Sequence, residues 1–131
     1  MATTLTVRDE SSAGQTLHEF ALEVLSERLS VRELIRSRVY QEVQDYNLRQ
    51  PQVYRGLVQP TDAERTLNGF TLKKPRQIDW KQQFDKAIEA FEANRILILL
   101  DDRQVDSLDE EIVIGPRTRV SFLRLTMLVG G

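Results

Sequence analysis

Five consecutive aliphatic side chains, Ile96-Leu97-Ile98-Leu99-Leu100, stand between Arg95 and Asp101. The run is too short for a buried helix and has no polar alternation, so it reads as a central strand covered on both faces. Such a strand cannot fold alone. The rest of the chain must supply strands on each side and layers above and below it, and the sequence can be searched for them.

The first candidates lie at the N-terminus. Leu5 and Val7 alternate with polar residues over Thr3 to Arg8, and Phe20, Leu22 and Val24 alternate again. The polar, Gly-containing stretch Asp9 to Gly14 between them predicts a β-hairpin. Ser30-Val31-Arg32-Glu33 then has the spacing of a capping box. Val31, Leu34, Ile35, Val39 and Val43 follow on one helical stripe, which predicts an amphipathic helix over 31–46 laid across the hairpin.

Residues 47–79 interrupt the pattern. Pro51, Gly56, Pro60, Gly69 and Pro75 break every periodic stretch, so the segment reads as a loop-rich insertion with one short helix near 62–67. Lys73, Lys74 and Arg76 give it a small basic patch. A solvated loop is the expectation there, with a partner-docking surface as the alternative. Asp79 to Gln82 offers a second capping box, and Trp80, Phe84, Ala87, Ile88 and Phe91 follow at helical spacing as a core-facing stripe.

After the aliphatic run, Asp101-Asp102-Arg103 predicts a turn and Gln104-Val105 a short partner strand. The segment from Asp106 to Ile114 is acidic; Leu108, Ile112 and Ile114 are expected to anchor it beneath the sheet. Asp101, Asp102, Asp106, Asp109, Glu110 and Glu111 read as a solvated edge that could also steer a basic partner. Gly115-Pro116 is a turn, and residues 118–125 form the final strand. His18 is expected to be an exposed hairpin residue. Arg119, Ser121 and Arg124 are expected to discourage pairing at an open sheet edge.

A helix that follows a hairpin returns to a strand of the same sheet by a right-handed crossover. The expected architecture is therefore α+β, a mixed sheet clasping a helix, with a helix-containing insertion before the third strand. The chain's 131 residues, 40% of them apolar, suffice for one domain around a single core.

This order resembles the β-grasp fold of ubiquitin and of the small sulfur carriers of molybdopterin and thiamin synthesis. The closest stretch runs from Arg95 to Gly131. Ile96 to Leu100 and then Asp101 to Val105 resemble ubiquitin's third strand, turn and short fourth strand, and the distance from Leu100 to Gly131 is also similar. Val120-Ser121-Phe122 resembles the last strand of the sulfur carriers equally well. The likeness covers residues 3–46 and 80–131. Thr126-Met127-Leu128-Val129 precedes the glycines where ubiquitin is arginine-rich, a departure that counts against recognition by ubiquitin's own enzymes. The extra length and the inserted helix look more like the ubiquitin-like proteins of bacterial conjugation operons than like a minimal carrier.

The resemblance implies that the chemistry resides in Gly130 and Gly131, at the end of an exposed tail over 126–131. The α-carboxylate of Gly131, with a reference pKa of about 3.3–3.7, is ionised near neutrality and a poor electrophile. A partner activating enzyme would use ATP and Mg²⁺ to convert it to an acyl-adenylate, and a conjugating enzyme would pass it to target proteins. A deconjugating protease would reverse the attachment. Met127, Leu128 and Val129 would be read as the tail passes into the partner, and two residues without Cβ fit a narrow channel. Leu99, Leu123 and Leu125 would take the places of ubiquitin's hydrophobic docking patch; alternatively, they belong to the core or lie beneath the insertion. A sulfur carrier ending in a thiocarboxylate, or a non-covalent interaction module, are the other readings.

Composition narrows the remaining classes. Eighteen basic against 20 acidic residues leave a net charge of −2, which argues against a nucleic-acid or anionic-membrane partner. Without cysteine and with a single histidine, the chain lacks the material for thiolate chemistry, a zinc site or a Ser-His-Asp triad. Catalysis by its own side chains, a resident cofactor and a resident metal are therefore not expected. No apolar run approaches the roughly 20 residues of a membrane span and no signal-peptide pattern opens the chain, so a cytoplasmic location is expected.

Overall fold

The computed structural model describes residues 3–66 and 69–125. The protein is α+β. The hairpin forms as strands β1 (Thr3–Glu10) and β2 (Thr16–Val24), antiparallel with Leu5 opposite Leu22 and Val7 opposite Phe20. A short strand β3 (Arg28–Ser30) leads into helix α1 (Val31–Arg49). Ser30 caps the helix as its sequence demands. Its hydroxyl accepts from the Glu33 amide at 3.1 Å, and Glu33 reaches back to the Ser30 amide at 3.4 Å. The helix runs three residues beyond the expected end, to a left-handed Gln50 whose amide donates to the Tyr46 carbonyl.

Among the described residues the insertion has no helix where one is expected near 62–67. Residues 63–66 instead form the first strand of a small hairpin, β4 (Ala63–Thr66) and β5 (Gly69–Leu72), with Arg65 opposite Phe70. The register pairs Thr66 with Gly69, so pairing with the following strand overrides the weak helical spacing over these residues. Nor is the insertion merely a solvated loop: Tyr54, Leu57, Ala63, Phe70, Leu72 and Ile78 are all buried and join the main core cluster. Gly69 permits the close approach this needs. A Cβ there would sit 2.5 Å from the Tyr54 carbonyl oxygen, where Tyr54 and Phe70 exchange backbone hydrogen bonds of 2.7 and 2.9 Å.

Helix α2 (Trp80–Glu92) follows. Asp79 caps it by accepting from the Lys81 amide at 3.0 Å, an N-cap without the reciprocal Gln82 contact of a full box. Of the expected stripe, Ala87 and Phe91 are buried, while Trp80, Phe84 and Ile88 are partly buried against the core.

The remaining strands are β6 (Ile96–Leu100), β7 (Arg103–Val105), β8 (Glu111–Val113) and β9 (Val120–Arg124). The main sheet has the order β2-β1-β9-β6-β7. It is mixed: β1 and β9 are parallel, and every other neighbour is antiparallel. Asp101 and Asp102, both at positive φ, form the two-residue turn between β6 and β7. Leu108, Ile112 and Ile114 are buried, as expected of anchors, and β8 pairs with β3 in a second, two-stranded sheet.

Two expectations about the strands change. The aliphatic run is an interior strand, yet only Ile96 and Ile98 are buried; Leu97 and Leu99 are partly exposed because they face away from the helices, and Leu100, at the strand's end, packs partly buried against the core. And β9 is no edge strand, so Arg119, Ser121 and Arg124 do not guard one. The edge strand β2 is instead covered from α1. Gln41 accepts from the Glu23 amide at 3.1 Å and donates to the Ala21 carbonyl at 2.8 Å.

Candidate functional site

Strand parity sorts the leucines singled out in the sequence. Val120 and Phe122 of β9 are buried beneath the helices, so Ser121 and Leu123 face the opposite side. On β6 the buried Ile96 and Ile98 likewise leave Leu97 and Leu99 on that open face. The register places Leu97 opposite Leu123 and Leu99 opposite Ser121, which makes Leu99 and Leu123 diagonal neighbours. Neither lies in the core. Leu125 continues the ladder beyond the strand, its amide donating to the Arg95 carbonyl at 2.9 Å. It also borders a groove of about 1000 Å³ between the insertion, α2 and the ends of β6 and β9. Of the three predicted docking residues, Leu99 and Leu123 thus share the open face, while Leu125 borders the groove that the insertion and α2 line. Met127, Leu128, Val129, Gly130 and Gly131 lie outside the described residues.

On the helix side of the sheet lies a cluster that sequence reasoning missed. Asp9 and Arg38 are both 1% exposed and form a bidentate pair at 2.5 and 2.7 Å. The Arg38 guanidinium also donates to Glu42 at 3.2 Å, and it stacks between the rings of Phe20 and Phe122, at 5.0 and 4.6 Å. Glu42 in turn accepts from the Leu57 amide at 2.9 Å, and Arg124 donates to the Gly56 carbonyl at 3.2 Å. One ionic cluster therefore ties β1, α1, β9 and the insertion together.

The sequence did carry a signal for it. Arg38 falls within the stripe Leu34-Ile35-Val39, and Asp9 extends the inward parity of Leu5 and Val7. A charge at a core position needs a buried partner, and here each supplies the other.

The environment shifts the titrating groups. Burial alone would depress Arg38, but the carboxylates of Glu42 and Asp9 outweigh it and hold its pKa above the ordinary value. Burial raises the Glu42 carboxyl, opposed by Arg38 and by the Leu57 amide. Burial also carries the Tyr54 hydroxyl well above its usual pKa. His18 is not the exposed hairpin residue expected from the sequence. It is partly buried, stacked on Phe20 at 5.2 Å, and desolvation together with Arg55, Arg38 and Arg124 lowers its pKa, with Asp9 opposing. It borders a cavity of about 410 Å³ with Tyr46, Tyr54 and Arg55. The charged groups at the heart of this cluster are hydrogen-bonded to one another, so the arrangement works as a clamp.

Among the described residues no group of three or more His, Asp or Glu side chains is placed to hold a metal ion. No described helix is long and apolar enough to cross a membrane. The chain matches no protein-family model, no curated protein and no solved structure.

Proposed function

We propose that this chain is a ubiquitin-like protein modifier on a β-grasp scaffold, activated at Gly131 and joined to target proteins. The observation that supports it most is the strand arrangement. The first and last strands, β1 and β9, run parallel at the centre of the sheet, with an antiparallel hairpin on either side and α1 across one face. That is the mixed sheet clasping a helix which the resemblance implies.

In this reading the chain is the substrate of its partners. A carboxylate oxygen of Gly131 attacks the α-phosphorus of ATP on the activating enzyme, releasing pyrophosphate. A cysteine thiolate of the partner then displaces AMP, and a target amine displaces the thiolate to give an amide bond. ATP and Mg²⁺ belong to the activating enzyme, and no side chain of this protein acts as acid or base. Gly130 and Gly131 supply backbone without Cβ at the point of attack. Leu99 and Leu123, half-buried on the open face, offer the apolar surface on which the activating and conjugating enzymes dock. A core-packed insertion held by Glu42 and Arg124 favours a modifier over a compact sulfur carrier. Its deconjugating protease would cleave after Gly131.

Deletion of Gly131 tests the reading. A terminal residue buries little, so the shortened chain keeps the thermal unfolding of the parent but is no longer adenylated or attached to targets. Attachment of the shortened chain would refute the proposal.

A further inference from the structure

A second concave site lies between β2, α1 and the start of the insertion, apart from the open sheet face and from the groove at Leu125. We propose that this cavity binds a small planar aromatic carboxylate, with its ring among the aromatic side chains and its charge at Arg49 and Arg55. The site goes beyond the modifier reading. It needs no activating enzyme, so either can fail without the other.

Size and shape support it first. The cavity holds about 410 Å³, within the roughly 300–1,000 Å³ of small-molecule sites. His18, Phe20, Tyr46 and Tyr54 bring four rings to its walls, and flat rings favour a flat apolar partner. The fold sets those rings in place. His18 lies on Phe20 with centroids 5.2 Å apart and ring planes 21° from parallel, and Tyr46 meets Tyr54 edge-on at 5.3 Å. Arg38 backs Phe20 at 5.0 Å. The backbone of Tyr54 is fixed by its exchange of hydrogen bonds with Phe70, and Gln41 ties α1 to β2. Walls held in this way lower the ordering cost of binding.

Charge narrows the class. Arg38, Arg49 and Arg55 line the cavity with Glu42 and Asp45. Arg38 and Glu42 are bound to each other at 3.2 Å. Arg49 and Arg55 are exposed and make no ion pair among the described residues. Two guanidiniums therefore stand against the single carboxylate of Asp45, on a protein whose net charge is −2. His18 senses the same field from inside the cavity: beyond desolvation, Arg55, Arg38 and Arg124 disfavour its protonation, with Asp9 opposing. A guanidinium fork matches a carboxylate in both charge and geometry.

The test titrates naphthalene-1-carboxylate into the full chain and follows it by NMR. His18 is the chain's only histidine, so its imidazole signals are unambiguous. The expected result is saturable shifts at the His18 ring and at the Tyr46, Tyr54 and Arg55 amides. Naphthalene-1-carboxamide, with the same ring and no charge, should bind about tenfold more weakly, as the loss of one charge-assisted contact implies.

The double variant Arg49→Gln, Arg55→Gln should keep the parent's thermal unfolding and its affinity for the carboxamide. Its affinity for the carboxylate should fall at least tenfold. Absence of saturable shifts at millimolar probe overturns the inference, as do shifts confined to the open sheet face. Equal affinity for the acid and the amide, or carboxylate binding unchanged in the double variant, would overturn it as well.

Discussion

The main sheet and the insertion over 50–79 share one core but are held in different ways. The sheet and α1 rest on periodic aliphatic side chains, Val7, Leu22, Ile98 and Val120 on one side and Leu34, Ile35, Val39 and Val43 on the other, all at or below 1% exposure. The insertion is fastened by individual polar contacts to elements around it. Glu42 accepts from the Leu57 amide, Gln83 donates to the Val58 carbonyl at 3.0 Å, and Asn47 both accepts from and donates to the Ile78 backbone at 2.8 and 3.0 Å. Periodic packing distributes stability over many small contacts. Point attachments concentrate it, so single substitutions should separate the insertion from the sheet.

The largest effect is expected where the two regions meet. Arg38→Ala leaves Glu42 without its guanidinium partner and Asp9 with only Arg124, 4.0 Å away, and breaking such a buried pair costs about 3–5 kcal/mol. Urea unfolding should show that loss, and amide exchange should accelerate in the sheet and the insertion together. Retention of sheet protection in this variant would mean that the clamp serves the insertion alone.

Gly69→Ala is expected to act on the insertion only. Its methyl meets the Tyr54 carbonyl oxygen at 2.5 Å, and such overpacking costs about 1–3 kcal/mol. Exchange should quicken at Tyr54 and Phe70 while the amides of β1 and β9 remain protected.

Asn47→Ala removes both contacts to Ile78 and should cost about 1 kcal/mol, the net worth of ordinary hydrogen bonds. The loss should appear as faster exchange at Ile78 with a small shift in the urea midpoint.

The smallest effect is a pH dependence. The folded-state pKa of His18 lies below its ordinary 6.5, so the unfolded chain binds the proton more readily. The stability this gives is complete above about pH 6.5 and is lost as pH falls through the folded value. Glu42, raised by burial, acts in the opposite sense: its contribution is complete below the ordinary carboxylate range and is lost as pH rises through the raised value. Comparing the parent with His18→Gln across pH 5–7 isolates the histidine, and the variant's profile should be flatter.

The same contrast explains what was legible in the sequence. The hairpin, α1 with its Ser30–Glu33 cap, the aliphatic strand and the buried Leu108, Ile112 and Ile114 all announce themselves by period or by a local motif. The insertion's core does not, because Tyr54, Leu57, Phe70 and Ile78 follow no period and are buried by contacts distant in sequence. Arg38 was legible as a helical residue but not as an ion pair, since its partner lies 29 positions away. Strand parity at β9 could not be settled from sequence because residues on both faces are apolar there, and only pairing with β6 places Leu99 and Leu123 on the open side.

The most direct test of the central proposal is mass spectrometry of the protein incubated with its activating enzyme, ATP and cell lysate. Cleavage after Arg124 should leave the remnant Leu125-Thr126-Met127-Leu128-Val129-Gly130-Gly131 joined to a target side chain through Gly131. That branched peptide is the result the account predicts. A thiocarboxylate at Gly131 without any branch would instead identify a sulfur carrier, and an unmodified Gly131 beside a demonstrably active enzyme would contradict the account outright.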